Sequence, residues 1–330
     1  MNTTILLKRC VWLLCGLAIL SGCNLPPQPD IVPFPDREIV FKAPELMPDK
    51  EVIGFIHPDG TGLVTRTLDL DIGVTLPTWS RDGKTIAFRG EVGGGSYFSS
   101  LRTYVLSADS NMMGGCREWE WAFGRVWVTS DDKLLMSLHL GEEPRQRIVL
   151  ADPKSCAILD TLFVASADQS VELIDSASLS THGWLAISRL LRQPPSRIQR
   201  EVPPAKAEVL VVDPISHDTR VVGHGLAPAW SRDGEWLAYT ALDGIYVVRK
   251  DGSEARQLVD LDLASPKEPL GWLGVIPVSW SPDGQYLVYS RLTPNGPTIF
   301  KVDVATGVEI EIFRGGAYPN WRWDVEKTTE

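Results

Sequence analysis

Charge is scarce in this sequence. Asp, Glu, Lys and Arg make up only 22% of its 330 residues, and the balance is acidic, with a formal net charge of −10. A surface of that sign does not attract nucleic acid or anionic lipid through bulk charge. Long apolar runs are also missing: past the N-terminus no stretch approaches the ~20 apolar residues of a membrane-spanning helix. Few segments look helical. Histidine is rare, with five in all: His57, His139, His182, His217 and His224. None stands at His-x-x-x-His or His-Glu-x-x-His spacing, which leaves no compact metal motif, and neither metal nor cofactor is implied. His217 and His224 read as turn and loop residues. A Gly-x-Ser-x-Gly nucleophile elbow is absent, which disfavours serine-peptidase chemistry. Paired carboxylates such as Glu142-Glu143 read as solvated.

What is present begins at the N-terminus. Lys8-Arg9 precede an apolar stretch from Cys10 to Leu20, then Ser21-Gly22-Cys23. A short basic region, an apolar core of about eleven residues and a small-residue cleavage site make a secretory signal. Leu20-Ser21-Gly22-Cys23 resembles the lipobox of bacterial lipoproteins. The resemblance implies that residues 1–22 are a signal peptide and that Cys23 is acylated, so membrane lipid is the first expected partner. Each buried CH₂ of such a chain adds ~0.8 kcal/mol to anchoring. Residues 23–36 carry Pro26, Pro27, Pro29, Pro33 and Pro35, which favour polyproline II and exclude a helix. They read as a tether of roughly 40 Å ahead of a body at residues 37–330. Asn24 beside the lipobox Cys leans towards the outer membrane in Gram-negative relatives. The expected location is the cell membrane or outer membrane, facing the periplasm or the exterior. Loss of Lys8 and Arg9 with the signal takes the formal charge from −10 to −12.

Within the body the main signal is self-similarity. Leu76-Pro-Thr-Trp79-Ser-Arg-Asp82-Gly83-Lys-Thr-Ile-Ala-Phe88 matches Ala227-Pro-Ala-Trp230-Ser-Arg-Asp233-Gly234-Glu-Trp-Leu-Ala-Tyr239. A third copy is Pro277-Val-Ser-Trp280-Ser-Pro-Asp283-Gly284-Gln-Tyr-Leu-Val-Tyr289. Weaker copies are Val128-Thr-Ser-Asp131-Asp132-Lys-Leu-Leu-Met136 and Thr181-His-Gly183-Trp-Leu-Ala-Ile-Ser188, and Tyr318-Pro-Asn-Trp321 closes the series. Each unit predicts a strand ending at Trp, a tight Asp-Gly turn and a returning apolar strand. Second hairpins are expected around Ile53–Thr65, Tyr104–Cys116, Ile148–Leu159, Val209–Val221, Ile245–Leu258 and Ile299–Ile312. Two hairpins make a four-stranded blade, and several blades make a propeller.

The pattern Pro-x-Trp-Ser-x-Asp-Gly resembles the repeat of TolB-type propellers, relatives of the WD repeat, over roughly residues 50–323. The expected fold is therefore all-β: a six-bladed β-propeller closed by N- and C-terminal strands in one composite blade. The strand at Tyr318–Trp321 would join the N-terminal hairpin, with Glu38–Lys42 or Val325–Thr329 as the remaining strand. Proline near each Trp places the Trp strand at an edge, the innermost one. Trp79, Trp230 and Trp280 then read as blade-to-blade packing, and Asp82, Asp233 and Asp283 as turn formers rather than metal ligands. Cys116 and Cys156 fall at the start of fourth strands in successive blades. Equivalent positions one blade apart exceed the ~7 Å Cα separation a disulfide allows, so no bridge is expected.

Connections two-to-three and blade-to-blade are long and share one face: Gly90–Ser100, Asn111–Phe123, Gly141–Arg145, Thr161–Val171, Leu191–Ala207 and Asp260–Ile276. Long loops on a rigid scaffold are where binding concentrates. Tyr97, Phe98, Trp119, Trp121 and Trp272 supply aromatic anchors there, and Arg192, Arg197 and Arg200 make a locally basic segment. These eight form a candidate binding face for an envelope protein or glycan. The expected function is a membrane-anchored, non-enzymatic binding scaffold with a monomeric body. The alternative is a propeller enzyme, lyase or glycosidase-like, whose site is assembled at the channel mouth.

Overall fold

The computed structural model describes residue 34 and residues 36–323, outside the stretches 45, 47–50, 69–71, 81–82, 93–99, 108–112, 117–121, 130–132, 140–145, 166–170, 192–206 and 262–275. Among the described residues there are strands and turns but no helix. Blade 1 contains β1 (Ile39–Lys42), β2 (Glu51–Ile56) and β3 (Val64–Leu68). Blade 2 is β4 (Ile72–Trp79), β5 (Thr85–Val92), β6 (Ser100–Ser107) and β7 (Met113–Cys116). Blade 3 is β8 (Ala122–Val128), β9 (Leu134–His139), β10 (Gln146–Ala151) and β11 (Ile158–Val164). Blade 4 is β12 (Val171–Leu179), β13 (Leu185–Leu191), β14 (Ala207–Val212) and β15 (Thr219–Gly223). Blade 5 is β16 (Leu226–Trp230), β17 (Trp236–Ala241), β18 (Gly244–Arg249) and β19 (Arg256–Asp260). Blade 6 is β20 (Ser279–Trp280), β21 (Tyr286–Thr293), β22 (Gly296–Asp303) and β23 (Glu309–Arg314). The last strand, β24 (Ala317–Trp321), pairs with β1, so blade 1 has the order β24-β1-β2-β3.

This is a six-bladed, all-antiparallel propeller closed by both ends of the chain. The missing strand of the closing blade is β1, one of the two expected sources, paired Ile39↔Trp321 and Val40↔Asn320. The strands β4, β8, β12, β16, β20 and β24 each touch the next around the ring. They are the innermost strands, each the inner edge of its sheet, and closure supplies blade 1 with its innermost strand from the C-terminal segment.

Alternation explains the packing. On β17, Leu237 and Tyr239 face blade 4, in a cluster with Val209, Val211 and Trp230. Ala238 faces blade 6, in a cluster with Trp280 and Tyr289. Successive residues of a strand point to opposite sides, so each blade is apolar on both faces and the core is a set of blade-to-blade clusters. Trp230, Trp280 and Trp79 are 1%, 2% and 4% exposed. The Trp280 indole donates Nε1–H to the carbonyl of Ala229 at 2.9 Å, and Trp230 does so to Ser178 at 3.1 Å. The Trp230 and Trp280 indoles thus satisfy their polar edges on the innermost strand of the preceding blade, whereas Trp79 Nε1 is buried without a hydrogen-bond partner among the described residues. The backbone repeats the gesture: Trp321 N–H donates to Ser279 Oγ (3.0 Å) and Trp79 N–H to Asn320 Oδ1 (2.8 Å).

The Ser-x-Asp-Gly turns work as one unit. Ser231 Oγ accepts Trp236 N–H at 3.0 Å and donates to Asp233 Oδ1 at 2.5 Å; Ser281 and Asp283 repeat this with Tyr286. Gly234 and Gly284 sit at φ +70° and Gly83 at φ +66°, the left-handed region where a side chain is strained. Asp82 lies outside the described residues. The weak fourth-blade copy makes the same turn, with Trp184 N–H donating to Ser180 Oγ at 3.0 Å.

One expectation is corrected. Cys156 is disulfide-bonded. It stands in the β10–β11 turn, not on a fourth strand, at φ 60° and with its N–H bonded to the Asp152 carbonyl at 2.9 Å. His217 and Gly307 occupy the same corner in blades 4 and 6. From that corner Cys156 packs into the cluster shared by blades 2 and 3, beside Ala87 and Val105. The rule against a bridge assumed equivalent strand positions, and the corner breaks that equivalence. The side chain of Cys116 lies outside the described residues.

Candidate functional site

Antiparallel order fixes which connections share a face. Turns β2–β3, β10–β11, β14–β15, β18–β19 and β22–β23 lie on one side together with the Ser-x-Asp-Gly turns. Connections from second to third strands and between blades leave from the other side. The strand ends that bracket 93–99, 117–121, 140–145, 166–170, 192–206 and 262–275 all lie there, as the sequence implied. The candidates themselves, Tyr97, Phe98, Trp119, Trp121, Arg192, Arg197, Arg200 and Trp272, fall outside the described residues, as does Cys23.

The innermost strands carry a feature that sequence reasoning missed. Register slips between Thr75 and Thr78, Phe123 and Trp127, Ile174 and Ala177, Leu226 and Ala229, and between β1 and β24 opposite Tyr318-Pro319. Leu76, Ala227 and Tyr318 each stand in left-handed backbone (φ 53–54°) immediately before a proline. Proline disfavours the α region in the residue before it and cannot donate to the ladder, so a bulge at x-Pro is the local solution. Bulges re-aim side chains and concentrate at barrel rims and beside sites. Here they ring the channel below the long loops. Tyr318 is buried enough that its phenol is pushed above the usual range. The second strands brace the ring: Ser290 Oγ accepts Tyr318 N–H at 3.0 Å and Thr240 Oγ1 donates to the Ile276 carbonyl at 2.5 Å.

On the outer flank, between blades 4 and 5, an open cleft of about 700 Å³ is lined by Val221, Gly223, His224, Tyr239, Asp243 and Tyr246, among others. The Tyr239 and Tyr246 rings stack across β17 and β18 at 5.5 Å and 11°. Tyr246 donates its hydroxyl to Asp243 Oδ2 at 2.9 Å. Burial, then Tyr246 and Asp243, push the Tyr239 phenol up to about 12; burial first and Asp243 next raise that of Tyr246. Both hydroxyls are therefore neutral donors at physiological pH. Among the described residues no three His, Cys, Asp or Glu side chains gather as a metal site.

Comparison with solved structures is informative for the fold. TolB from Acinetobacter baumannii superposes with a TM-score of 0.60 at 14% identity, over 86% of this chain and 65% of that one, so this chain spans just under two thirds of that protein. A putative TolB from Agrobacterium tumefaciens gives 0.53 at 16% identity, over 84% and 89%. This chain has the TolB-type propeller fold. The same architecture extends to a chain of the nidogen/laminin complex (TM-score 0.56, 10% identity, 86% and 97% covered). No protein-family model matches the chain, and no curated protein does. Fold likeness at such identity says nothing of ligand or chemistry.

Proposed function

We propose that this protein is a lipid-anchored propeller of the cell envelope that binds an envelope protein or a glycan through its loop-bearing face. The observation that carries this is the asymmetry of the two faces. One side consists of short turns closed on themselves. The other combines six long connections with a ring of bulged innermost strands. A rigid scaffold with variable loops on one face is the usual arrangement of a binding module. Leu20-Ser21-Gly22-Cys23 supports anchoring. The disulfide at Cys156 supports an oxidising compartment, where such bonds persist.

The test is capture from detergent-solubilised membranes using the full chain as bait. A second bait has residues 192–206 replaced by a short Gly-Ser linker. The proposal expects a co-purifying species with the first bait and its loss with the second. Equal capture by both would remove the loop face from the proposal. Substituting Cys23→Ser should move the protein from the membrane to the soluble fraction; unchanged membrane association would remove the anchor.

A further inference from the structure

The cleft between blades 4 and 5 exists because two positions of the repeat depart from their counterparts. The first is on the outermost strand. In blades 3 to 6 that strand carries a bulge at the same place, and the residue just after it pairs with the third strand: Phe163↔Ile148, Gly223↔Val209, Val259↔Ile245 and Phe313↔Ile299. Phe163, Val259 and Phe313 each pack against the next blade. Phe313, for example, meets Phe41 of blade 1 at 5.1 Å. Blade 4 has Gly223 there. A Cβ at that position would stand 2.6 Å from Tyr239 Cζ, so Tyr239 takes part of the vacated space and the rest is the cleft.

The second departure is on the second strand. Blades 4 and 6 have an arginine two residues past the inward apolar position, Arg189 and Arg291, where blade 5 has Ala241. Arg189 is paired with Glu208, and Arg291 with Glu309 at 3.3 Å. In blade 6 the Arg291 guanidinium also lies over the ring of Phe300, 4.3 Å from its centroid. Phe300 pairs with Tyr289 as Tyr246 pairs with Tyr239. Blade 5 therefore keeps the aromatic pair and has carboxylates beside it, Asp243 on the Tyr246 hydroxyl and Asp260 nearby. It lacks the cation: Ala241 lines the cleft, and among the described residues no cationic group lies over Tyr246. Among the described residues, Asp243 is held by Tyr246 at one side-chain oxygen, Oδ2.

We propose that this cleft receives a guanidinium group from outside the chain, an arginine side chain of a partner protein, laid on Tyr246 and paired with Asp243 as Arg291 is laid on Phe300 and paired with Glu309. Cation–π and carboxylate contacts reinforce one another where both are partly desolvated. A partner with basic character also suits a chain of formal charge −10. The site lies on the outer flank at the loop-side rim, where Asp243 stands on the β17–β18 connection, and its test does not involve residues 192–206.

The experiment is calorimetric titration of the full chain in detergent with acetyl-Gly-Arg-Gly-amide. Saturable binding that weakens with salt is expected. It should fall at least about tenfold with the citrulline peptide, which keeps the shape and loses the charge, and likewise with Asp243→Asn. Ala241→Arg should abolish binding by supplying the cation in cis. Absence of saturable binding overturns the proposal, as does equal affinity for the citrulline peptide or an unchanged Asp243→Asn variant. Free L-arginine binding as tightly as the peptide would assign the cleft to a small molecule and overturn the partner protein as its source. If Ala241→Arg fails to fold, Asp243→Asn and the citrulline arm still decide the matter.

Discussion

The turn-side half of each blade and its loop-side half come from the same repeat, yet they are built differently. On the turn side, polar groups are used locally and completely. Asp152, Asp213 and Asp303 each close the turn that follows them, accepting from Ser155, Ser216 and Thr306 N–H at 2.6, 3.0 and 2.8 Å. Tryptophan indoles are pinned to the preceding blade at the same end. On the loop side, the strands bulge, left-handed residues precede prolines, and glycine stands where other blades plug the junction. The difference teaches where a propeller repeat keeps its stability and where it can vary. Conserving the geometry of one end frees the other to differ from blade to blade.

The comparison breaks first, and most heavily, at the tryptophans. Trp280→Ala empties a site 2% exposed and orphans the Ala229 carbonyl. It should cost about 3–5 kcal/mol, read as a shift in the denaturant midpoint at unchanged slope. A loss below about 1 kcal/mol would mean that the inter-blade seam collapses easily. Next comes Cys156→Ser. Removing a native disulfide costs about 2–4 kcal/mol, and the wild type under reducing conditions should behave as the variant does. Asn320→Ala is expected to cost about 1–3 kcal/mol. It leaves the buried Trp79 N–H without its acceptor and removes the Asn320 Nδ2–H donor to Ser279, which keeps only the Trp321 N–H across the ring seam among the described residues. Val248→Ala, a buried control in the cluster between blades 4 and 5 and away from the seam, separates that effect from simple loss of packing.

These sites differ in how far the sequence revealed them. Trp-Ser-x-Asp-Gly is local: a strand end, a turn and a strand start within a few residues, so the turn half of the fold and the six blades were legible directly. The closing blade was legible only as a deficit, an N-terminal hairpin and a C-terminal strand each lacking a mate, and β1 could not be told from Val325–Thr329 by pattern. Cys156 was misplaced because Asp152-Pro-Lys-Ser-Cys reads as the way into a strand, whereas the serine and the aspartate fold it into a corner. Gly223 was invisible for another reason. Its meaning depends on alignment with Phe163, Val259 and Phe313, and a bulge in the outer strands of blades 3 to 6 sets that alignment. Ala241 opposite Arg291 has the same character: an absence recognisable only once the strands are in register.

The smallest expected effect sharpens the comparison with acid. Asp59, Asp152, Asp213, Asp251 and Asp303 all stand on third-to-fourth-strand turns, and all are held below the usual carboxylate value of 3.8. The chief cause is a hydrogen bond from Thr61, Ser155, Ser216, Ser253 and Thr306 respectively. A carboxylate whose folded value lies below its unfolded one contributes stability that is complete above 3.8 and is lost as pH falls through the lower folded value. Asp59 and Asp251 are exposed and Asp152, Asp213 and Asp303 partly so, and solvent screens each contribution. The turn side should therefore soften below pH 4 ahead of the loop side, with faster amide exchange at Ser155, Ser216 and Thr306 than at Ser188 and Thr240. Asp213→Asn with Asp303→Asn keeps the acceptor oxygens and removes the titration, so the double variant should show a flatter stability profile between pH 6 and 3 than the wild type. An identical profile would mean that the turn carboxylates do not couple to folding, and that the contrast between the two halves lies in packing alone.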